Sequence, residues 1–436
     1  MLFRSLNPRH SYFGPRFGFA YQLTSDGKTA IHGGYGIGYT QVSLQNTVIL
    51  LPNPPYTQNI SITNSLMSNP GAGTTGAASV QSLQAIGYDF RAGMIQTYSL
   101  TLQREIIPHG VLSVGYAGNV QQHILSTQLD ANFPLSTTTS GTPGCAAKSP
   151  TPETSTNYQY DPCLNTGATA KAYYRPYQGY DQILSTMSGG IGNYNGLQSG
   201  FVYRADDLTL NLAYTYSRAL TDVVPANPGS NGGSGVGYDS VGTFQNAHNI
   251  QAEYGRPDFD RAHVFTGAPV YEMPFFRSSN NFLARELLSG WSFSGLAIIE
   301  SGYALTPSDT FGDAGLATRP NQLEKIHTTG SGKVKIGQHN YFTDPTGVFG
   351  KPAYGFFGDA SNGTIVGPRE VAFNVSTSKT FPITERVSAK LGIEAFNVFN
   401  HPNITGISTQ FGAANFGQAI SAGDPRIMEG AFRLSF

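Results

Sequence analysis

The chain has 436 residues, of which 12% are charged, with 26 Lys and Arg against 27 Asp and Glu for a net charge of -1. Soluble proteins carry about 25% charged residues, and so neutral a chain offers no basic surface for nucleic acid. Gly, Tyr and Phe are abundant instead, at 52, 24 and 27, and no window reaches the roughly 18 consecutive apolar residues of a spanning helix, which excludes a helical membrane protein.

Helical periodicity is nearly absent, and period-two alternation predicts strands of about ten residues along the chain. They fall at about 15–23, 28–40, 94–105, 110–118, 195–204, 208–218, 261–273, 290–300, 370–381, 386–397 and 427–436. In the first, Phe17, Phe19, Tyr21 and Leu23 alternate with Gly18, Ala20 and Gln22. Tyr98, Leu100 and Leu102 oppose Thr97, Ser99, Thr101 and Gln103 in the third, and Leu208, Leu210, Leu212, Tyr214 and Tyr216 share one face of the sixth. Near the end, Val387, Ala389, Leu391, Ile393 and Ala395 oppose Ser388, Lys390, Gly392 and Glu394. In the last strand Phe432, Leu434 and Phe436 share the face opposite Ala431, Arg433 and Ser435.

Alternation alone fits a soluble sandwich equally well, since its sheets also bury one face. The connections separate the two readings. Short links at 24–27, 107–110, 205–207 and near 382–385 alternate with long ones at 41–93, 119–194, 219–260, 301–369 and 398–426. Loops of that length are uncommon in compact soluble domains, whereas short turns on one side and long loops on the other are the pattern of outer-membrane barrels. The fold expectation is therefore all-β: an antiparallel transmembrane β-barrel with short periplasmic turns and long extracellular loops, the whole of 1–436 belonging to one barrel domain. The link 274–289 is long for a turn and reads as a short amphipathic helix; the stretch Lys333 to Phe342 reads as added hairpin outside the membrane. Tyr35, Tyr39, Tyr214 and Tyr216 stand near outer strand ends and Trp291 at an inner end, where a membrane interface favours such rings.

About eleven strands is an odd number, and an open barrel would leave an unpaired edge in lipid. The opening MLFRSLNPRHSYF also lacks the succession of an export signal. Both observations lead to the expectation that an N-terminal portion is missing.

Cys145 and Cys163, the only cysteines, sit in a segment full of Gly, Pro, Ser and Thr and are candidates for a loop disulfide. Closing such a loop would be worth about 3 kcal/mol in the chain-entropy account. No second Cys or His pair stands at zinc-ligand spacing, so no metal is expected. Asp258, Asp260, Arg261 and His263 form the densest polar group, where a loop enters a strand; solvated or paired rim charges are commoner there than a ligand site. Lys390, Glu394 and Arg433 are expected to face the lumen, where charge is tolerated. Catalytic patterns fail: Gly330–Lys333 lacks the hydroxyl residue of a phosphate loop because Val334 follows it, and Gly34–Gly38 lacks the dinucleotide spacing. No catalytic residue and no cofactor is assigned.

Several strings are similar to one family. FGPRFGFAYQLTSDGKTAIHGGYGIGY at 13–39, RPDFDRAHVFTGAPVYEMPF at 256–275, GWSFSGLAIIESG at 290–302 and GIEAFNVFNHPNI at 392–404 with the terminal FRLSF resemble the barrel of TonB-dependent receptors, most of all the Oar-like group. The resemblance implies a 22-stranded barrel around an N-terminal plug, energised through a TonB box. It also implies that Phe432, Leu434 and Phe436 resemble the C-terminal signal read by the barrel-assembly machinery. Expected partners are outer-membrane lipid, that machinery, the TonB complex through the missing front, and a small-molecule, glycan or peptide ligand. Two other readings remain at this point: a non-transporting adhesion or structural barrel, and a secreted all-β carbohydrate-active enzyme.

Overall fold

The computed structural model describes residues 12–40, 53, 62–63, 66–69, 74–75, 81–87, 89–132, 177, 180–223, 245, 249–276, 278, 280–309, 319–328, 334–337, 341, 347–352, 357–384 and 386–436. Eleven strands follow one another as a meander: β1 (Arg16–Gln22), β2 (Thr29–Tyr39), β3 (Met94–Ile107), β4 (Gly110–Asp130), β5 (Tyr180–Arg204) and β6 (Leu208–Thr221) come first. β7 (His263–Glu272), β8 (Trp291–Glu300), β9 (Glu370–Pro382), β10 (Ser388–Phe396) and β11 (Ile427–Ser435) complete it. Each pairs antiparallel with the next. The sheet is not closed: among the described residues β1 and β11 each keep one edge unpaired.

The registers carry the alternation from strand to strand, so that each face is continuous. Phe19, Tyr21, Ile31, Leu100, Leu102, Val114, Tyr116, Leu197, Tyr214, Tyr216, Phe293, Ile299, Val375, Leu391, Ile393, Phe432 and Leu434 fall on one face by these pairings. Most of these side chains are exposed. An exposed apolar face of this extent is compatible with hydrocarbon and not with water.

The same face carries a belt of hydrogen-bonded rings. Tyr98 and Tyr116 donate from their hydroxyls to Asn195 Oδ1 at 2.8 and 2.7 Å, and Tyr35 donates to Gln96 Oε1 at 2.9 Å. The Tyr214 hydroxyl lies 2.8 Å from His263 Nδ1, and Tyr39 donates to the Phe13 carbonyl at 3.2 Å. Paired hydroxyls let these rings sit where one end is apolar and the other wet.

Three departures from the expected elements have physical causes. First, β4 and β5 have 21 and 25 residues, where about ten cross a bilayer. The hairpin stays paired from Gly110↔Tyr203 to Asp130↔Leu184, and residues Gln81–Ile86 add a parallel strand to its distal end. The predicted loop 119–194 is therefore paired strand over much of its described length. Outside lipid neither face needs to be apolar, so the alternation that marks a membrane strand stops while the ladder continues. A bulge at His123, with φ of 56°, interrupts this hairpin.

Second, the long links 301–369 and 398–426 are not bare loops. They form short two-stranded pieces, Ala304–Leu305 with Ile365–Val366, Asn321–Gln322 with Phe349–Gly350, and Ile404–Ile407 with Ala419–Ala422, and Ser308–Asp309 pairs in parallel with Gln410–Phe411 between the two links. Val334, Tyr341, Val348, Phe349, Ala360, Ile365, Ile404, Ile407, Phe416 and Ala419 make one buried apolar cluster. None of its members belongs to the eleven-stranded meander. Burying a large apolar side chain is worth about 1.5–3 kcal/mol, enough together to hold an outer cap whose backbone has little regular pairing. Third, the hairpin expected from Lys333 to Phe342 is not formed by its described members. Ile336 makes a parallel bridge to Ala419, and Val334 and Tyr341 enter the cap core.

The helix expected in the link 274–289 is present as α1 (Phe282–Leu288).

Candidate functional site

The polar side chains with most structure around them lie at the outer rim, where β6, β7, β8 and β9 meet the cap. The predicted polar group does not form one site. Asp260 is buried, accepts the Ala219 backbone N–H at 2.8 Å and pairs with Arg256 Nε at 2.6 Å. Arg261 turns to other partners, bridging Glu300 and, at 3.1 Å, Glu370, with its guanidinium 3.8 Å from the Tyr303 ring centre. His263 packs with Tyr214 and Tyr216, its ring centre 4.9 Å from that of Tyr216. Asp258 is half-buried, and burial pushes its carboxyl above the usual carboxylate range.

Arg261 resolves a conflict built into the register. Glu300 and Glu370 stand directly opposite across the β8–β9 ladder, and like charges so placed repel. One planar guanidinium placed between them answers both, a task suited to the fork geometry of arginine.

A second network, not found from sequence, ties two links together. Glu253 follows from a short 3-10 turn, Ile250–Glu253, and is buried with Arg319. Arg319 pairs with Glu253 and donates from Nη1 to Asn362 Oδ1 at 2.9 Å and from Nη2 to the Ala252 carbonyl at 3.3 Å. Gln245 receives the Arg319 backbone N–H at 2.6 Å and gives its own backbone N–H to Glu253 Oε1 at 2.9 Å. Asn362 donates to the Glu253 carbonyl at 2.7 Å. A buried charge pair is tolerated when surrounding groups satisfy its remaining lone pairs and protons, and most of this one is so satisfied. No local pattern marks these residues in sequence, because the partners are 66 and 109 positions apart.

Asp222, just beyond β6, is also buried; its Oδ1 accepts the Ile191 N–H at 2.7 Å, and burial raises its carboxyl above the ordinary range. Arg91 reaches the β4 bulge, with Nη1 3.5 Å from His123 Nε2 and its backbone N–H donated to Ser188 Oγ at 2.7 Å. Among the described residues no group of His, Cys, Asp and Glu stands close enough to hold a metal ion. Cys145 and Cys163 lie outside the described residues.

At the other end of the sheet, Lys390, Glu394 and Arg433 share the face opposite the apolar one. The register sets Lys390 across from Arg433 and Glu394 across from Glu429, two like-charged pairs. Phe432 and Leu434 lie on the apolar face, and Phe436 follows the end of β11 almost fully exposed.

A continuous meander with an apolar outer face, short turns at one end and long built-up links at the other defines a bacterial outer-membrane β-barrel. The chain belongs to the outer membrane beta barrel domain family, whose pattern it matches over residues 4–429. No curated protein matches it. Among solved structures it is similar to the outer membrane transporter YddB from Escherichia coli, at 9% identity and a TM-score of 0.49, over 97% of this chain and 40% of that one. It is also similar to the FrpB iron transporter from Neisseria meningitidis, at 9% identity and a TM-score of 0.42, over 97% and 39%. The ferric enterobactin receptor PfeA from Pseudomonas aeruginosa gives 11% identity and a TM-score of 0.44, over 97% and 40%. The chain thus spans about 40% of the length of these proteins.

Proposed function

We propose that the chain is the C-terminal barrel portion of a TonB-dependent receptor of the Oar-like kind, serving uptake or surface binding of a small molecule, glycan or peptide at the outer membrane. The observation that carries this reading is the outer cap: links 301–369 and 398–426 share a core among their described residues and, through Glu253 and Arg319, hold residues 249–262 as well. Binding groups are commonly carried by loops held on a rigid scaffold, and here the loops are held in place. The strings at 13–39, 256–275 and 392–404 that resemble such receptors support the same reading.

On this proposal the eleven strands supply half of a 22-stranded wall. Lys390, Glu394 and Arg433 then face the lumen, where water or a plug can answer their charge. Phe432, Leu434 and Phe436 serve recognition by the barrel-assembly machinery, a free strand end with one apolar face being suited to pairing with another sheet edge. Cys145 and Cys163 close a disulfide in an outer loop. The chain acts by binding and passage and not by catalysis, and any coupling to the TonB complex runs through a preceding plug. A second reading, a surface adhesion barrel without transport, is also favoured by a fixed cap, which would present a binding surface without opening.

The reading frame upstream of Met1 in the source genome separates the two. A continuous frame encoding an export signal, plug and TonB box supports the receptor. An export signal joined directly to this barrel, with no plug between them, overturns it in favour of the adhesion barrel.

A further inference from the structure

The link between β7 and β8 differs from the other periplasmic turns. The β1–β2, β3–β4, β5–β6 and β9–β10 connections run to a few residues each, whereas this one spans 273–290 and carries α1. At 100° per residue Leu283, Leu287 and Leu288 fall within one arc of the helix. They are 63%, 55% and 51% exposed, and Phe275, Phe276 and Phe282 beside them are also exposed. Seven residues do not hold a helix in water unaided, and so many bare apolar side chains on one short link mark a contact surface.

Its position on the wall says what covers it. Trp291, the only tryptophan in the sequence, donates from Nε1 to the Leu287 carbonyl at 3.0 Å. The Lys379 ammonium donates to the Ser289 carbonyl. Trp291, Lys379 and Leu391 stand in one register row of the apolar face. Both bonds thus fasten the link to the lipid-facing side of the wall, continuous with the surface that meets hydrocarbon. Gly290, with φ of 71°, makes the turn from helix to β8 that this placement needs. Arg285 is exposed on the same helix, its guanidinium carbon 5.9 Å from the Phe282 ring centre.

We propose that α1 and the Phe275–Phe276 pair lie in the periplasmic leaflet as an interfacial anchor, their apolar side chains at the boundary between phospholipid headgroups and acyl chains. The anchor fixes the depth of the β7–β8 hairpin at its inner end, as the tyrosine belt does at the outer end.

The test places a spin label at Leu283→Cys or Leu287→Cys, with Asp206→Cys in the neighbouring turn as control, each in a chain that also carries Cys145→Ser and Cys163→Ser. In outer membranes prepared from producing cells, collision with oxygen reports lipid and collision with a water-soluble nickel chelate reports solvent. An oxygen-to-nickel collision ratio several-fold higher at 283 and 287 than at 206 is the expected result. Equal ratios at all three positions overturn the proposal, and shielding of 283 and 287 from both probes overturns it in favour of a protein partner. Native migration of the unheated protein in detergent gels shows that each variant has folded.

Discussion

At the residue scale, the rim charges respond to burial and to one another more than to their neighbours in sequence. Asp260, Arg261 and His263 lie close together in the chain and yet serve separate partners, while Asp258 beside them is governed by burial. Their proximity was legible, but their roles depend on Arg256, Glu300, Glu370 and Tyr214, which the fold brings to them. Asp222 shows what burial does to such a group. Its carboxyl titrates above the ordinary value because ionisation is disfavoured where water is excluded. The folded state then binds a proton more tightly than the unfolded chain, so this group's contribution is fully present below the unfolded value, about 3.9, and is lost as pH rises through the folded one. Hydrogen exchange at the Ile191 amide, which Asp222 holds, should therefore slow as pH is lowered from neutrality towards 4, after correction for intrinsic exchange. In Asp222→Asn that extra protection should disappear.

At the element scale, the strands crossing the membrane were legible because lipid imposes alternation on every one of them. The register then spreads one apolar face across the whole sheet, from Phe19 opposite Gly33 to Leu391 opposite Phe432. The extension of β4 and β5 and the cap were not legible, for a common reason. Beyond the bilayer a strand may be polar on both faces, and the cap core draws on Val334, Phe349, Ile404 and Phe416, which recur with no period. The tie between links depends on Glu253 and Arg319, whose burial no local pattern announces. Removing one partner of a buried pair leaves a lone charge and costs about 3–5 kcal/mol, whereas replacing both by apolar residues is often nearly neutral. Arg319→Leu should accordingly loosen residues 249–262, seen as faster proteolysis or hydrogen exchange there, while Glu253→Leu with Arg319→Leu should recover most of the protection. Equal loosening in the single and double variants would show that the pair does not hold the link.

At the scale of the whole molecule, the apolar face, the polar opposite face and the built-up outer links form one arrangement. The wall itself buries little, since most of its large apolar side chains are exposed; its stability in a membrane comes from paired backbone and from lipid on one face. The compact apolar core lies in the links instead. This division places the lipid contact on the wall and the buried apolar packing in the links, and with the proposed function it requires that the long links all stand on the cell surface and the short turns all face the periplasm.

That requirement is met or broken by one labelling experiment on intact cells. With Cys145→Ser and Cys163→Ser as background, Leu323→Cys reports the cap, and Ser25→Cys and Asp206→Cys report two short turns. A membrane-impermeant maleimide should label position 323 in intact cells and positions 25 and 206 only after the outer membrane is opened. Labelling of 25 and 206 in intact cells, with 323 protected until opening, would contradict the orientation and the account built on it.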